Sequence, residues 1–250
     1  MNVSLYQAAA AMNATSRWQE LISQNLASSS APGSRKQDIS FSSVQAGLPS
    51  RELGMNGERF AIPAFRSYTD FSEGEMRPTG VSTDFAIDGP AFFQVQLPNG
   101  QTGFTRDGAF QLNAAGQLVT QQGYPVESDA GSAVQLDPTS SGTITVSSTG
   151  EISQGGEARG RIRLAEFSDP QKLTSISGGY FISTDPKVKP ADAKASQIRQ
   201  GYIEGGNGSP TTEMASLITA MRLFESNQKV LQAQDDRMGR VISDLGGTGQ

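Results

Sequence analysis

The chain has 250 residues, a formal net charge of -5 at pH 7 and a pI of about 4.9, which argues against a nucleic acid as its partner. It contains no histidine and no cysteine, so the commonest general base, the usual zinc ligands, thiolate chemistry and disulfides are excluded. These absences exclude many classes of enzyme. No metal-ligand spacing is visible either, and we expect a protein that is not an enzyme, with no cofactor, no metal site and no small-molecule substrate.

Residues 1–26 are predicted to form an amphipathic helix. Its apolar positions recur on one face at the helical period, and two polar positions, Thr15 and Gln19, interrupt them. The apolar face consists of Leu5, Ala8, Met12, Ile22 and Leu26. Turn-forming residues at 28–33 end this helix. Taken alone, the pattern is also typical of a surface helix of a globular domain.

Residues 34–70 show no sustained period and are broken by glycine and proline. We predict an extended arm or irregular connector with short strands. Arg35 and Lys36 open this segment, and two charges make a weak membrane-binding patch. We expect them to lie in a solvated turn or to pair with a neighbouring subunit.

From Phe71 onward, short apolar runs alternate with turn signals such as Asn99-Gly100, which predicts an all-β domain. The predicted strands cover residues 84–87, 92–97, 103–105, 109–112, 117–120, 134–136, 143–146, 151–153 and 162–167. Neighbouring residues of a strand point to opposite faces, so Phe92 and Phe93 should diverge. We expect one of them in the core and the other nearer the surface or a subunit contact.

Residues 210–245 are predicted to form a second helix, with Ser209 as its N-cap, Pro210 at its first position and Gly246-Gly247 as its stop. Its apolar residues follow the a and d positions of one heptad register. They are Met214, Leu217, Met221, Phe224, Leu231, Met238, Ile242 and Leu245. A helix roughly 50 Å long exceeds the width of a small domain. An ordinary helix over a local core is one interpretation, and packing against partner helices is the one that the length favours.

Three stretches resemble flagellar rod and hook proteins. Residues 23–33 (SQNLASSSAPG) are similar to the signature that closes the first helix of that family. Residues 79–93, 105–110 and 116–119 are similar to its central core, including the segments DFAIDGPAFF and TRDGAF. Residues 200–207 (QGYIEGGN) resemble the approach to its C-terminal helix. The chain lacks an obvious long insertion, which favours a rod protein, proximal or distal, over a hook protein.

The resemblance implies an α+β fold, mainly β, with a central all-β domain at 71–206 and a connector at 34–70. It also implies that the terminal segments, 1–33 and 207–250, pair as a coiled-coil-like layer. The residues expected at the assembly interface are those of the two helical stripes, Leu5, Met12, Ile22, Leu26, Met214, Leu217, Met221, Phe224, Leu231, Met238, Ile242 and Leu245, together with Asn25.

The function implied is that of a structural subunit of the basal-body rod that builds a hollow, torque-transmitting axial tube. Its expected partners are copies of itself, other rod and hook proteins and the flagellar export apparatus, and its expected location is the periplasmic rod. The first basic residue is Arg17, so we expect no Sec-type signal peptide, which fits export through the flagellum's own channel.

The chain departs from the family pattern at the two junctions between the helices and the β domain. Ser34 stands where an aromatic residue is usual, and Gly206 and Gly208 replace the usual serine and valine. We expect these junctions to be looser or differently packed. Two alternative functions remain: a hook-type subunit, and a secreted all-β binding module or adhesin that is oligomerised by its end helices.

Three carboxylates could form a cluster for glycoside hydrolysis: Asp84, Asp88 and Asp107. Asp88 and Asp107 each precede a glycine, which is the usual arrangement of a hairpin turn. We therefore interpret these residues as parts of turns.

Overall fold

The computed structural model describes residues 3–46, 60–138, 140, 142–193 and 195–246. The chain divides into two compact units. The helical unit comprises the described parts of Met1–Leu26, Gln37–Tyr68 and Pro210–Gln250, and the β unit comprises Ala27–Lys36 and Thr69–Ser209. The fold is α+β and mainly β, as the sequence predicts. No helix in the described residues is long and apolar enough to cross a membrane.

The helical unit contains both long helices, α1 (Val3–Ser28) and α2 (Pro210–Gly246), so both predicted helices are confirmed. It also contains a two-stranded sheet formed by β1 (Gln37–Ala46) and β2 (Phe60–Thr69). These strands of ten residues each are longer than the short strands expected in this segment. The sequence pattern underestimates their length. In β1, for example, the alternation that starts at Ile39 and Phe41 breaks before Val44.

The β unit contains the remaining strands. They are β3 (Met76–Pro78), β4 (Phe85–Asp88), β5 (Phe92–Gln96), β6 (Thr102–Thr105), β7 (Gln111–Leu112), β8 (Leu118–Val119), β9 (Ile144–Val146), β10 (Glu151–Gln154), β11 (Glu157–Arg161), β12 (Leu164–Glu166), β13 (Leu173–Ile176), β14 (Tyr180–Ser183), β15 (Ala191–Asp192), β16 (Gln197–Gln200) and β17 (Tyr202–Glu204). The largest sheet has the order β13-β14-β6-β5-β12-β15, and a three-stranded sheet has the order β11-β10-β9.

Strand pairing brings the end of the β unit back to its beginning. β16 pairs antiparallel with β4, and Ile198 lies opposite Ile87. β17 pairs antiparallel with β3, and Glu204 lies opposite Met76. The last two strands of the β unit therefore pair with two of its first strands, just before α2 begins.

The strand β5 separates two apolar clusters. Phe93 is fully buried in the larger cluster, where its ring meets that of Phe110 edge-on at 5.0 Å. Phe92 belongs to a second cluster with Phe104 and Phe181, so the two neighbours do diverge. The expectation that one of them lies nearer the surface or a subunit contact is wrong, because Phe92 is only 4% exposed in the single chain. Both faces of the main sheet are covered, which the sequence pattern of one strand does not indicate.

Most of the predicted strands form, with ends shifted by one or two residues. The predicted strand at 134–136 is reduced to isolated bridges at Ala133 and Gln135, although Val134 and Leu136 are buried. Strands β13 to β17 have no predicted counterpart. Their apolar runs are short or interrupted by polar residues, as in Gln197–Gln200. β13 pairs with its neighbour β14, and the others also pair with strands that are distant in the sequence.

Candidate assembly site

The face of α1 on which the apolar residues were predicted is covered in the helical unit. Ala8 and Ile22 are buried, and Met12 and Leu26 are half-buried. Thr15, which interrupts this face, is also buried, and its hydroxyl donates to the Ala11 carbonyl at 2.6 Å. This bond satisfies the hydroxyl inside the helix, so the polar residue is tolerated on a buried face. The side chain of Leu5 lies outside the described residues.

Asn25 connects three elements of the helical unit. Its Oδ1 accepts from the Gln37 backbone N–H at 2.9 Å, and its Nδ2 donates to the Gln37 carbonyl at 2.7 Å. Nδ2 also donates to Oε2 of Glu213 at 3.3 Å. Asn25 and Glu213 are both buried, and Glu213 lies in the first turn of α2, where a carboxylate is favoured by the helix dipole. The amide thus ties α1 to the start of β1 and of α2.

The predicted heptad stripe of α2 divides into two groups. Leu217, Phe224 and Leu231 are half-buried, and they flank the fully buried Ala220. In contrast, Met214 and Met221 are more than half exposed. This second group also includes Ile218, which the heptad register did not contain and which is 55% exposed.

Other apolar residues of α2 are exposed as well. Met238, at the far end of the predicted stripe, is 41% exposed. Leu223 and Val230, which are outside the register, are 45% and 47% exposed. The side chains of Ile242 and Leu245 lie outside the described residues. The described part of α2 thus presents large apolar side chains on several sides.

The three stretches of the sequence that resemble known proteins meet at one buried ionic cluster in the β unit. Glu204 lies at its centre. Its Oε1 is 2.6 Å from Nη2 of Arg35, and its Oε2 is 2.8 Å from Nε of Arg106. All three side chains are at most 2% exposed. The expectation that Arg35 lies in a solvated turn or pairs with another subunit is therefore wrong. We call these residues the Arg35–Glu204–Arg106 cluster.

Backbone groups add further hydrogen bonds to this cluster. The Gly74 N–H donates to Oε1 of Glu204 at 2.7 Å, and Nη1 of Arg106 donates to the carbonyls of Gly89 and Ala91. Burial lowers the pKa of the Arg106 guanidinium, and the Glu204 carboxylate opposes that shift. In contrast, Nε and Nη1 of Arg35 are buried without a hydrogen-bond partner in the structure. The cluster holds two guanidinium groups against one fully buried carboxylate.

The backbone segments around this cluster are packed without space for additional atoms. Gly33 has a φ of 64°, and a Cβ at this position would lie 2.2 Å from the Asp107 nitrogen. A Cβ at Gly206 would lie 2.4 Å from Oγ of Ser34. Of the two expectations for this junction, looser or differently packed, the first is wrong at Gly206, because two of the residues that depart from the family pattern pack directly on each other.

Asn207 links three backbone segments next to this cluster through its side-chain amide. Its Oδ1 accepts from the Lys36 N–H at 2.7 Å, while its Nδ2 donates to the carbonyls of Asp70 and Ser72. The Asp70 N–H in turn donates to the Lys36 carbonyl at 2.9 Å. Asn207 therefore joins the segment after α1, the start of the β unit and the segment before α2.

The carboxylates considered for catalysis have structural roles. Asp88 pairs with Arg199 at 2.5 Å across β4 and β16. Asp107 accepts from the Ala109 N–H at 3.0 Å in a turn. Burial raises the pKa of Asp107, and nearby Asp84 adds to the rise. No group of three metal-ligating side chains occurs in the residues that the structure covers.

Sequence reasoning missed the Arg35–Glu204–Arg106 cluster, although each member lies in or beside one of the three stretches that carry the resemblance. A charged residue in an otherwise apolar or glycine-rich motif was the available signal. Glu204 follows Tyr202 and Ile203 and precedes Gly205 and Gly206. Its partners, however, are distant in sequence, so the pairing itself could not be predicted from local spacing.

Two members of this cluster lie in parts of the chain that match known protein families: Arg106 is in the first matched range and Glu204 in the second, whereas Arg35 is in neither. Residues 86–154 match the family model described as flagellar hook protein FlgE/F/G D1 domain, and residues 199–245 match that described as flagellar basal body rod FlgEFG protein C-terminal. The chain is 31% identical to the flagellar basal-body rod protein FlgF of Caulobacter vibrioides, over 98% of this chain and 99% of that relative. It is 29% identical to FlgF of Mesorhizobium japonicum, over 98% and 99%. It is 30% identical to FlgG of Borreliella burgdorferi, over 94% and 96%.

Proposed function

This chain belongs to the flagellar basal-body rod protein family and is a structural subunit of the bacterial flagellar basal body, and we propose that it assembles into the rod through its two terminal helices. The alternatives of a hook-type subunit and of a secreted adhesin are set aside, because the full-length relatives are named as rod proteins. The protein is structural and not an enzyme.

The exposure pattern of α2 carries the proposal. At about 100° per residue, Leu217, Ala220 and Phe224 point in one direction, which the helical unit covers. Met214, Ile218 and Met221 form a second stripe roughly 100° to one side of it. Leu223 and Val230 lie roughly 100° to the other side. A soluble monomer rarely leaves such large apolar side chains exposed in rows, whereas a subunit between neighbours covers them.

The occupants that we propose for these stripes are helices of neighbouring rod subunits, either copies of this chain or its relatives in the rod. Two contact faces on one helix let each subunit bind two different neighbours. Where such contacts are heterologous and the rotation does not close a ring, they extend into a helical polymer. Such a polymer can be a hollow tube that transmits torque. We further propose that the flagellar export apparatus delivers the subunit to a periplasmic position. Membership of the rod family supports both of these proposals.

The substitution Met221→Glu tests this proposal. Met221 is 52% exposed in the single chain, so the charged side chain should leave the melting temperature of the unassembled protein unchanged. In an assembled interface it would bury an unpaired carboxylate, at a cost of several kcal/mol per contact. We expect loss of motility and, by electron microscopy, basal bodies without a complete rod.

Ala233→Glu is the matched control. This exposed position lies on the side of α2 opposite its covered residues, and away from both exposed rows of apolar side chains. It adds the same charge to the same helix and should permit rod assembly. Complete rods in cells that carry only Met221→Glu would refute the proposal. A lower melting temperature of the unassembled variant would show that Met221 contributes to the fold and not to assembly.

A further inference from the structure

The buried position of Arg35 is not explained by a contribution to the folding stability of the protein. Its side chain is 1% exposed, and two of its nitrogen atoms are buried without a hydrogen-bond partner in the structure. A buried ion pair of this kind is often no more stabilising than well-packed apolar residues of similar volume. Glu204 would still be paired without Arg35, because Arg106 and the Gly74 N–H also bind its carboxylate.

The ion pair between Arg35 and Glu204 instead bears on the register of two neighbouring backbone segments. The Gly33 N–H donates to the Glu204 carbonyl at 2.8 Å, and the Asn207 N–H donates to the Ser34 carbonyl at 3.3 Å. The two segments 33–36 and 204–207 therefore lie side by side. Backbone hydrogen bonds alone do not distinguish one register from another, and glycine-rich segments specify register weakly. Gly205, Gly206 and Gly208 make this such a segment.

By chain connectivity, these two segments lead to the helices. α1 ends at Ser28, shortly before Gly33, and α2 begins at Pro210, shortly after Asn207. A slip of two residues along an extended segment corresponds to about 7 Å, which is more than one helical turn of about 5.4 Å. Such a slip would move the start of α2 against the end of α1 by enough to change which side chains meet.

We propose that Arg35 is a positioning residue, whose ion pair with Glu204 fixes the register between the segment that leaves α1 and the segment that enters α2. This proposal rests on the proposed function, because the register is useful only if both helices are assembly elements. Asn207 also favours this register, because its side chain accepts a hydrogen bond from the Lys36 N–H. Arg35 differs from Asn207 in that its side chain recognises one charged partner.

The test uses the full chain with the substitutions Ser30→Cys and Ser209→Cys, labelled with spin probes. Both serines are exposed, and the natural sequence contains no cysteine, so the labels are unique. In the unassembled protein we expect one narrow distribution of distances between the labels. With Arg35→Met added, we expect a broad or two-component distribution and at least a tenfold loss of assembly, while the melting temperature stays within about 3 °C of the parent.

Two further variants make the outcome decisive. Arg199→Met removes an exposed arginine that pairs with Asp88, and it should change neither the distance distribution nor assembly. Arg35→Lys keeps a cation within reach of Glu204 and should restore the narrow distribution. An unchanged narrow distribution in Arg35→Met would overturn the proposal. A fall of more than about 10 °C in its melting temperature would also overturn it, because Arg35 would then be a stability residue.

The distance measurement separates this proposal from the proposed function. If Met221→Glu assembles normally, assembly through α2 is wrong, whatever the label distances are. If Met221→Glu blocks assembly but Arg35→Met keeps a narrow distribution, assembly through α2 stands and the role of Arg35 is wrong.

Discussion

The substitution Glu204→Gln tests the energetic role of the buried ionic cluster. Glutamine has nearly the same shape as glutamate, so the change removes the charge without creating a cavity. Its amide can accept from only one of the two guanidinium groups, and its NH₂ group then faces the other one. Two buried arginines would lose their common counter-charge at sites that are at most 2% exposed.

The expected cost follows from that loss. Removing one partner of a buried ion pair costs about 3–5 kcal/mol, because the remaining charge is left uncompensated. Glu73 does not replace the lost carboxylate, because it lies 3.8 Å from Arg106 and is 47% exposed on its side chain. For a unit of this size, the cost corresponds to a fall of about 10–15 °C in melting temperature.

The assay is thermal unfolding of the full chain followed by two probes. Near-ultraviolet circular dichroism reports on the packed tyrosines of the β unit, Tyr124 and Tyr180, whose rings lie 5.3 Å apart. Fluorescence of Trp18, the one tryptophan, reports on the helical unit. Glu75→Gln is the control, because its pair with Arg77 is exposed and should contribute less than about 1 kcal/mol. Equal, small effects of the two variants would refute the argument.

Two other substitutions probe the same unit. Gly33→Ala should cost several kcal/mol in unfolding experiments, because its Cβ would lie 2.2 Å from a backbone nitrogen, whereas Gly80→Ala, with a φ of 71° and open space, should cost only about 1–2 kcal/mol; similar losses would contradict the close packing. The raised pKa of Asp107 means that this carboxyl stabilises the fold below its unfolded pKa near 3.8, and that this contribution is lost as the pH rises through the folded pKa. The melting temperature of Asp107→Asn relative to the parent should therefore fall between pH 7 and pH 4, and a pH-independent difference would refute the assignment.

Local sequence patterns predicted the elements that have a strong period of their own. Both long helices and most β strands up to residue 167 are examples, because their apolar residues recur at 3.6 or 2 residues or are bounded by turn signals. Strands β13 and β14 form a local hairpin of two four-residue strands, whereas β15, β16 and β17 pair with strands that are distant in the sequence, as β16 does with β4. No local pattern encodes such pairing.

The sequence identifies the residues of the junction but does not indicate that they are buried. Arg35 belongs to a short charged pair after a turn, which is typical of a solvated segment. Burial of its side chain depends on Glu204, far along the chain, and on glycines that let the backbones approach. Likewise, the sequence alone leaves open whether Gly206 makes the junction looser or differently packed, whereas in the structure Ser34 occupies the space that a side chain would need. Sequence reasoning from one segment cannot detect such mutual fits.

The two units bury their side chains in different ways. The β unit has its own core, in which Phe85, Phe93 and Tyr180 are almost fully buried, and its stability is therefore supplied within the chain. In the described part of α2, Ala220 is the only apolar residue that is buried, and Met214, Ile218 and Met221 remain exposed. Long helices gain most of their stability from packing against other elements. It follows that substitutions in the β unit should act mainly on folding, and substitutions on the exposed stripes of α2 mainly on assembly.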